Sequence, residues 1–235
     1  MIISIFKYIG IVIISFMTTS LMILFFPFDR KYKIFIWLSS LWSALILLVC
    51  GIKVSVKGIE NLTSLDKCVV VSNHASMFDI VALFNVFPKI KFMYKKELVK
   101  IPVWGWALNL SPHIKVNREK GTDAMRSLNK IVDSFNGGGH VLLFAEGTRT
   151  LDGNMQPFKR GAFILASKSG VPIIPLTVNG TFGIKPKNSW KILSSKVELI
   201  FHKPIFSTPK TREEEILLMN ETHRIILNDY VGVLQ

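Results

Sequence analysis

The sequence is short of acidic residues, short of cysteine, and free of charge in two long stretches near its start. Only 16 of the 235 residues are Asp or Glu against 29 Lys or Arg, so the formal net charge is +13 at pH 7. This excess implies an anionic partner: a nucleic acid, an acidic membrane surface, or an acidic protein or substrate. The only cysteines, Cys50 and Cys68, exclude a disulfide framework and lack the spacing of a zinc site.

The two charge-free stretches cover residues 8–28 and 34–52. Each is close to the ~20 residues that cross the hydrocarbon core of a bilayer. The first is too long for the apolar part of a signal peptide, and the second follows almost at once. We therefore expect a membrane-embedded helical hairpin over residues 1–52, with a soluble buried hairpin as the alternative.

The charged link at residues 29–33 leaves the topology of this hairpin open. The link is basic, and Lys7, Lys53 and Lys57 flank the hairpin. Because basic residues favour the cytoplasmic side of a membrane, both the link and the flanking lysines are expected on that side. Two full crossings would instead place the link on the side opposite the flanks. Either the hairpin sits mainly in the cytoplasmic leaflet, or two ordinary spans place the link outside. We expect residues 53–235 on the cytoplasmic face, which in a bacterium is that of the inner membrane.

From residue 53 onward, strand patterns alternate with helix patterns. The strands are expected at residues 68–71, 90–94, 114–118, 141–144, 171–178 and 197–201, and the main helices at 76–87, 122–135 and 213–230. This alternation predicts an α/β fold. We expect a mixed central sheet flanked by helices, preceded by the hydrophobic two-helix membrane hairpin, with residues 53–235 forming one domain.

One predicted strand is followed by polar residues of the kind that form catalytic sites. The run at residues 68–71 leads into Asn73 and His74, and Asp79 lies five residues after His74. Open α/β folds bind ligands at the carboxyl edge of the sheet. Five residues along one helix would separate two side chains by about 140°, so Asp79 meets His74 only if His74 precedes the helix, with Ser76 as the N-cap. The alternatives are a structural histidine, and an Asp79 that only satisfies backbone donors.

A second buried strand also ends in polar residues. Residues 141–144 lead into Glu146, Gly147, Thr148 and Arg149. Arginine offers a two-pronged fork to phosphate, and glutamate can accept a hydrogen bond from a hydroxyl group. The stretch therefore suits a phosphate and a hydroxyl, with a structural Glu–Arg pair as the alternative.

Residues 95–106 mix basic and apolar side chains and include Trp104 and Trp106. Such a mixture suits a surface that faces a membrane or an acyl chain. The alternative is a plain helix whose two tryptophans pack in the core.

Taken together, these stretches resemble the glycerolipid acyltransferase family, in particular the 1-acyl-sn-glycerol-3-phosphate acyltransferases. The family's first block, Asn-His-x-x-x-x-Asp, occurs here as Asn73, His74 and Asp79. Its third, usually Phe-Pro-Glu-Gly-Thr-Arg, occurs at residues 144–149, with Ala145 where proline is usual.

The second and fourth blocks complete an ordered set. The second resembles the stretch from Lys95 to Arg118, although Asn117 stands where the family commonly has aspartate before the arginine. The fourth is Val-Pro-Ile-Ile-Pro at residues 171–175. One His-x-x-x-x-Asp is a weak signal, but four blocks in the family's order are a specific one.

The resemblance implies an O-acyltransferase of phospholipid biosynthesis. It would move a fatty acyl group from a thioester, on coenzyme A or an acidic acyl carrier protein, to the free hydroxyl of 1-acyl-glycerol-3-phosphate, making phosphatidic acid. His74 would be the general base, and Asp79 would hold its tautomer. The side chains implied in substrate binding are Asn73, Lys95, Arg118, Glu146, Gly147, Thr148 and Arg149.

The same resemblance implies membrane lipids as partners, no nucleic acid, no metal, and no cofactor beyond the acyl donor. Three other functions remain open. The first is the acylation of another lysolipid, such as a lyso-ornithine lipid, and the second is a non-catalytic membrane protein that binds anionic lipid. Water in place of the acceptor hydroxyl would instead make a hydrolase.

Overall fold

The computed structural model of the chain describes residues 2–116, 131–132, 135, 138–185, 189–207 and 209–231. The helices in this part are α1 (Ile2–Phe25), α2 (Lys33–Cys50), α3 (Ile59–Thr63), α4 (Phe78–Val86), α5 (Trp104–Leu110), α6 (Gly161–Ser169), α7 (Thr181–Ile184) and α8 (Arg212–Asn228). The strands are β1 (Lys53–Lys57), β2 (Lys67–Ser72), β3 (Lys91–Lys95), β4 (Ile114–Val116), β5 (Gly139–Phe144), β6 (Ile173–Asn179) and β7 (Lys196–Phe201). Short 3₁₀ turns cover Phe26–Phe28 and Lys96–Lys100.

The strands form one seven-stranded sheet in the order β1-β7-β6-β2-β5-β3-β4. The β6–β7 pair is antiparallel, whereas the other neighbours are parallel. The predicted α/β fold with a mixed central sheet is therefore confirmed. Because β2 lies between β5 and β6 and runs parallel to both, the carboxyl ends of these three strands meet at one edge.

The six strands expected from sequence are present in the described residues, and the structure differs from expectation at two other places. The helix expected from residue 76 begins at Phe78, and the Ser76 hydroxyl donates to the Lys185 carbonyl at 3.4 Å instead of capping it. The residues after Gly58, for which no helix was expected, form the short helix α3. The helix expected at residues 122–135 lies almost wholly outside the described residues.

The two N-terminal helices are long and apolar enough to cross a membrane by length and composition. The start of α1 lies beside the end of α2, where the Lys7 ammonium donates to the Cys50 carbonyl at 2.8 Å. Helix α2 also packs on the α/β part: its Ile46 and Leu47 belong to the same apolar cluster as Val70 of β2. The proposed boundary between residues 52 and 53 stays a prediction, and the apolar packing runs across it.

Close packing of α5 on the 3₁₀ turn requires a glycine. A Cβ on Gly105 would lie 2.4 Å from the Leu98 carbonyl oxygen and 2.5 Å from that of Val99. The contact fixes α5 so that Trp106 is 56% exposed. The alternative of two tryptophans in the core is therefore wrong for Trp106, and its contact with a membrane or an acyl chain stays a prediction.

Candidate functional site

The structure brings His74 and Asp79 together at the carboxyl end of β2. His74 lies in the turn after the strand and outside α4, and Asp79 lies in the first turn of α4. The His74 Nδ1 atom is 2.6 Å from the Asp79 Oδ2 atom. Since Nδ1 faces a carboxylate, it carries the ring proton, and the Nε2 lone pair is left as a proton acceptor.

The same Asp79 oxygen also accepts hydrogen bonds from the backbone. The amides of Ala75 and Ser76 donate to Oδ2 at 2.9 Å and 3.0 Å. The Asp79 side chain is fully buried, whereas that of His74 is 19% exposed. The two interpretations of Asp79, a partner of histidine and a partner of backbone donors, are therefore both correct, and the backbone bonds fix the carboxylate that orients the imidazole.

The imidazole of His74 is also held by an aromatic ring that was not expected at the site. Phe144 stacks on it with ring centroids 3.9 Å apart and ring planes 14° from parallel. Phe144 is the last residue of β5 and is the register partner of Ser72, two residues before His74. Knowledge that β2 pairs with β5 in this register would have predicted the contact. The sequence pattern of a single strand does not show which strand is its neighbour.

Glu146 supports the backbone of His74. Its Oε1 accepts from the His74 amide at 2.6 Å, and its Oε2 accepts from the Gln156 amide at 3.0 Å. The residue is 2% exposed. Burial raises the pKa of Glu146, and the amides of Gln156 and His74 act in the opposite direction. Both of its oxygens thus bind backbone donors, and the expectation that Glu146 contacts the substrate stays a prediction.

Asn73 also has a structural role. Its amide group donates to the Val178 carbonyl at 2.9 Å and accepts from the Val178 amide at 2.8 Å. Asn73 is 1% exposed. Its side chain thus extends the pairing between β2 and β6 by one residue, and the expected contact between Asn73 and substrate stays a prediction.

The remaining candidates lie at the same edge or next to it. Gly147 adopts a φ of +73°, a conformation that favours glycine. Thr148 is exposed, and Arg149 is half-buried without a hydrogen-bond or ion-pair partner among the described residues. Lys95 ends β3, and its ammonium is 3.8 Å from Glu97 Oε2.

Arg118 lies outside the described residues, so its expected role stays a prediction. Contact of Lys95, Gly147, Thr148 and Arg149 with a substrate also stays a prediction. Within the described part of the chain, no three His, Cys, Asp or Glu side chains cluster as metal ligands. The expectation that the chemistry needs no metal is likewise still a prediction.

Comparison with known proteins identifies the family. A family model described as acyltransferase matches residues 53–179, which is more than half of the chain. The chain belongs to the acyltransferase family. The match begins at β1 and ends with β6, so it includes the three strand ends that meet at His74.

Curated relatives of this acyltransferase include a chloroplastic 1-acyl-sn-glycerol-3-phosphate acyltransferase of Brassica napus. It is 38% identical over 203 residues, 85% of this chain and 58% of the relative. A 1-acyl-sn-glycerol-3-phosphate acyltransferase of Pseudomonas aeruginosa is 32% identical, over 74% of this chain and 68% of the relative. The chain spans about half the length of several plant and algal relatives, from 47% to 58%.

A solved structure shares the fold of this acyltransferase. The crystal structure of the 1-acyl-sn-glycerophosphate acyltransferase from Thermotoga maritima aligns with a TM-score of 0.82. The alignment covers 97% of this chain and 92% of the other, at 24% sequence identity. The likeness covers the two N-terminal helices as well as the sheet.

The Asn73 contact generates a stability prediction. Asn73→Ala leaves the buried N–H and C=O of Val178 without partners, and should lower the free energy of unfolding by about 2–4 kcal/mol. Thermal unfolding in detergent, followed by circular dichroism, measures the loss. Asn109 is the control, because it is exposed and its side chain accepts a hydrogen bond from another exposed residue, Lys115, at 3.0 Å. Asn109→Ala should change stability by no more than about 0.5 kcal/mol, and equal losses in the two variants would contradict this role of Asn73.

Proposed function

We propose that this acyltransferase moves a fatty acyl group from an acyl thioester to the free hydroxyl of 1-acyl-glycerol-3-phosphate, forming phosphatidic acid in phospholipid biosynthesis. The observation that carries the proposal is the 2.6 Å contact between His74 Nδ1 and Asp79 Oδ2. It leaves Nε2, which has no hydrogen-bond partner among the described residues, to take a proton from an acceptor hydroxyl. The activities named for the Brassica and Pseudomonas relatives support the same acceptor.

The proposed reaction is direct transfer without an acyl-enzyme. His74 Nε2 takes the hydroxyl proton as the acceptor oxygen attacks the thioester carbonyl carbon. Asp79 stabilises the imidazolium that forms. When the tetrahedral intermediate collapses, the carbon–sulfur bond breaks and the thiolate takes the proton from Nε2. General-base help of this kind contributes roughly 10²–10⁴-fold. Both cysteines are fully buried, which argues against a thiol nucleophile.

In the proposed complex, Arg149 binds the phosphate of the acceptor, with Lys95 and Arg118 as further cations. Arg149 has no counter-ion among the described residues, so an anion can bind without displacing one. The acyl donor is either acyl-CoA or an acyl carrier protein. Both are anionic, and the net charge of +13 suits both.

We infer that the N-terminal hairpin anchors the enzyme in one leaflet of the membrane, with the α/β part on the cytoplasmic face. Contacts along the whole length of α2 support this. Near the link, the ring of Phe35 is 5.8 Å from that of His113. Midway along α2, the ring of Trp42 is 6.4 Å from that of Phe84.

The length of α2 explains why these contacts favour one leaflet. A helix of 18 residues is about 27 Å long, close to the thickness of the hydrocarbon core. Two full spans would carry the Phe35 end of α2 to the far side of the bilayer. His113 and the rest of the α/β part would then lose their contact with that end. The helix is therefore proposed to lie within the leaflet beside the α/β part.

Cysteine labelling tests this placement. Arg30 in the link and Lys53 in β1 are both exposed, while the native Cys50 and Cys68 are buried and should not react. In inverted bacterial membrane vesicles, a membrane-impermeant maleimide should label Arg30→Cys from the same side as Lys53→Cys. Labelling of Arg30→Cys only from the opposite side would favour two full spans instead.

Activity tests the reaction itself. Membranes that contain the protein should convert labelled lysophosphatidate and an acyl thioester to phosphatidate, and His74→Ala should lower the rate at least ~10²-fold. His140→Ala is the matched control, because it removes a buried imidazole near the start of β5, at the opposite edge of the sheet.

Four outcomes would contradict the proposal. Parental activity in His74→Ala would make His74 structural. Equal losses in His74→Ala and His140→Ala would indicate a folding defect. No phosphatidate from the parent, with product from a panel that includes lyso-ornithine lipid, would assign another acceptor. Binding of lipid without any product would favour the non-catalytic alternative.

A further inference from the structure

Lys159 lies beside the candidate site, and sequence analysis assigned it no role. It lies between the loop that follows β5 and the start of α6. Its backbone amide donates to the Ala145 carbonyl at 2.7 Å, and the neighbouring Phe158 is 7% exposed. The main chain at Lys159 is therefore fixed next to the strand end that leads into Glu146.

The side chain of Lys159 lies over Gly147. A Cβ added to Gly147 would be 3.0 Å from Lys159 Cδ, 3.0 Å from Nζ and 3.2 Å from Cε. Gly147 directly follows Glu146, which binds the backbone amide of His74. The Lys159 ammonium is thus close to the loop of residues 146–149, which borders His74.

This ammonium has no counter-ion in the described part of the chain, whereas the next residue, Arg160, has one. The Arg160 guanidinium pairs with the Glu215 carboxylate. Lys159 has neither an ion pair nor a side-chain hydrogen bond there, and the same holds for Arg149. The two acids between β5 and α6 bind other groups: Glu146 gives both its oxygens to backbone amides, and the Asp152 carboxylate accepts from Thr150 and Asn154.

We propose that Lys159 binds the phosphate group of the acceptor together with Arg149, and this inference rests on the proposed function. A phosphate monoester carries a charge of about −1.5 to −2 at pH 7. Two cations without counter-ions on one loop match that charge. The two side chains have different tasks, because arginine supplies a planar fork and lysine a compact point charge.

Steady-state kinetics with lysophosphatidate in mixed micelles test the proposal. Loss of a charge-assisted hydrogen bond to phosphate corresponds to about 10- to 100-fold in binding. Lys159→Met should therefore raise KM for lysophosphatidate about 10- to 100-fold and leave kcat within about 3-fold. Lys159→Arg should restore most of the loss, because it returns the charge. Lys168→Met, which removes an exposed charge near the other end of α6, should leave KM unchanged.

Inhibition by glycerol 3-phosphate supplies a second readout that a structural role would not move. This probe has the phosphate headgroup without the acyl chain, so its inhibition constant should rise in Lys159→Met by about the same factor as KM. An active parent whose KM and inhibition constant are unchanged in Lys159→Met would overturn the inference alone. An equal rise of KM in Lys168→Met would also overturn it, since it would show a general charge effect. A parent that does not acylate lysophosphatidate would overturn the proposed function, and this inference with it.

Discussion

The hydrogen bond from the His74 amide to the buried Glu146 carboxylate is the interaction on which the site depends. It joins the end of β2 to the end of β5 at 2.6 Å. On the other side, Asn73 joins β2 to β6 through the backbone of Val178. The Thr150 amide also donates to the His74 carbonyl at 3.0 Å. The main chain at His74 is therefore hydrogen-bonded to the segment that follows β5, and the preceding Asn73 is hydrogen-bonded to β6. These bonds fix the orientation of the His74 imidazole although the side chain is partly exposed.

Helix α4 links this site to the membrane hairpin. Its first turn carries Asp79, which orients His74. Further along α4, the Val81 carbonyl accepts from the Ser43 hydroxyl, and Phe84 contacts Trp42. A short rigid helix thus contacts both the catalytic candidate and α2. The depth of α2 in the leaflet would then set the height of His74 above the lipid, where an acceptor with one acyl chain would present its free hydroxyl.

The elements of the α/β part could be predicted from sequence because their signals are local. The apolar run of β2 is buried on both faces, as a central parallel strand requires. Helix geometry allowed His74 to meet Asp79 only if His74 preceded the helix, and the structure places His74 in the turn before α4. The N-cap at Ser76 was wrong because its hydroxyl donates to the Lys185 carbonyl, 109 residues away, and α4 begins two residues later, at Phe78.

The tasks of the polar residues at the strand ends could not be predicted in the same way. Asn73 binds Val178, which is 105 residues away, and Glu146 binds His74, which is 72 residues away. Such contacts depend on which strands are neighbours and in what register, and the sequence pattern of a single strand contains neither. The position of Lys159 over Gly147 depends on the path of a loop in the same way.

The substitution Asp79→Asn tests the central claim, that His74 is a general base whose tautomer is fixed by Asp79. Asparagine has nearly the same shape but no charge, so it cannot stabilise the imidazolium. With lysophosphatidate and an acyl thioester, kcat should fall at least ~10²-fold while KM for lysophosphatidate changes by less than about 3-fold. A folded variant whose kcat stays within a few-fold of the parent would contradict the account.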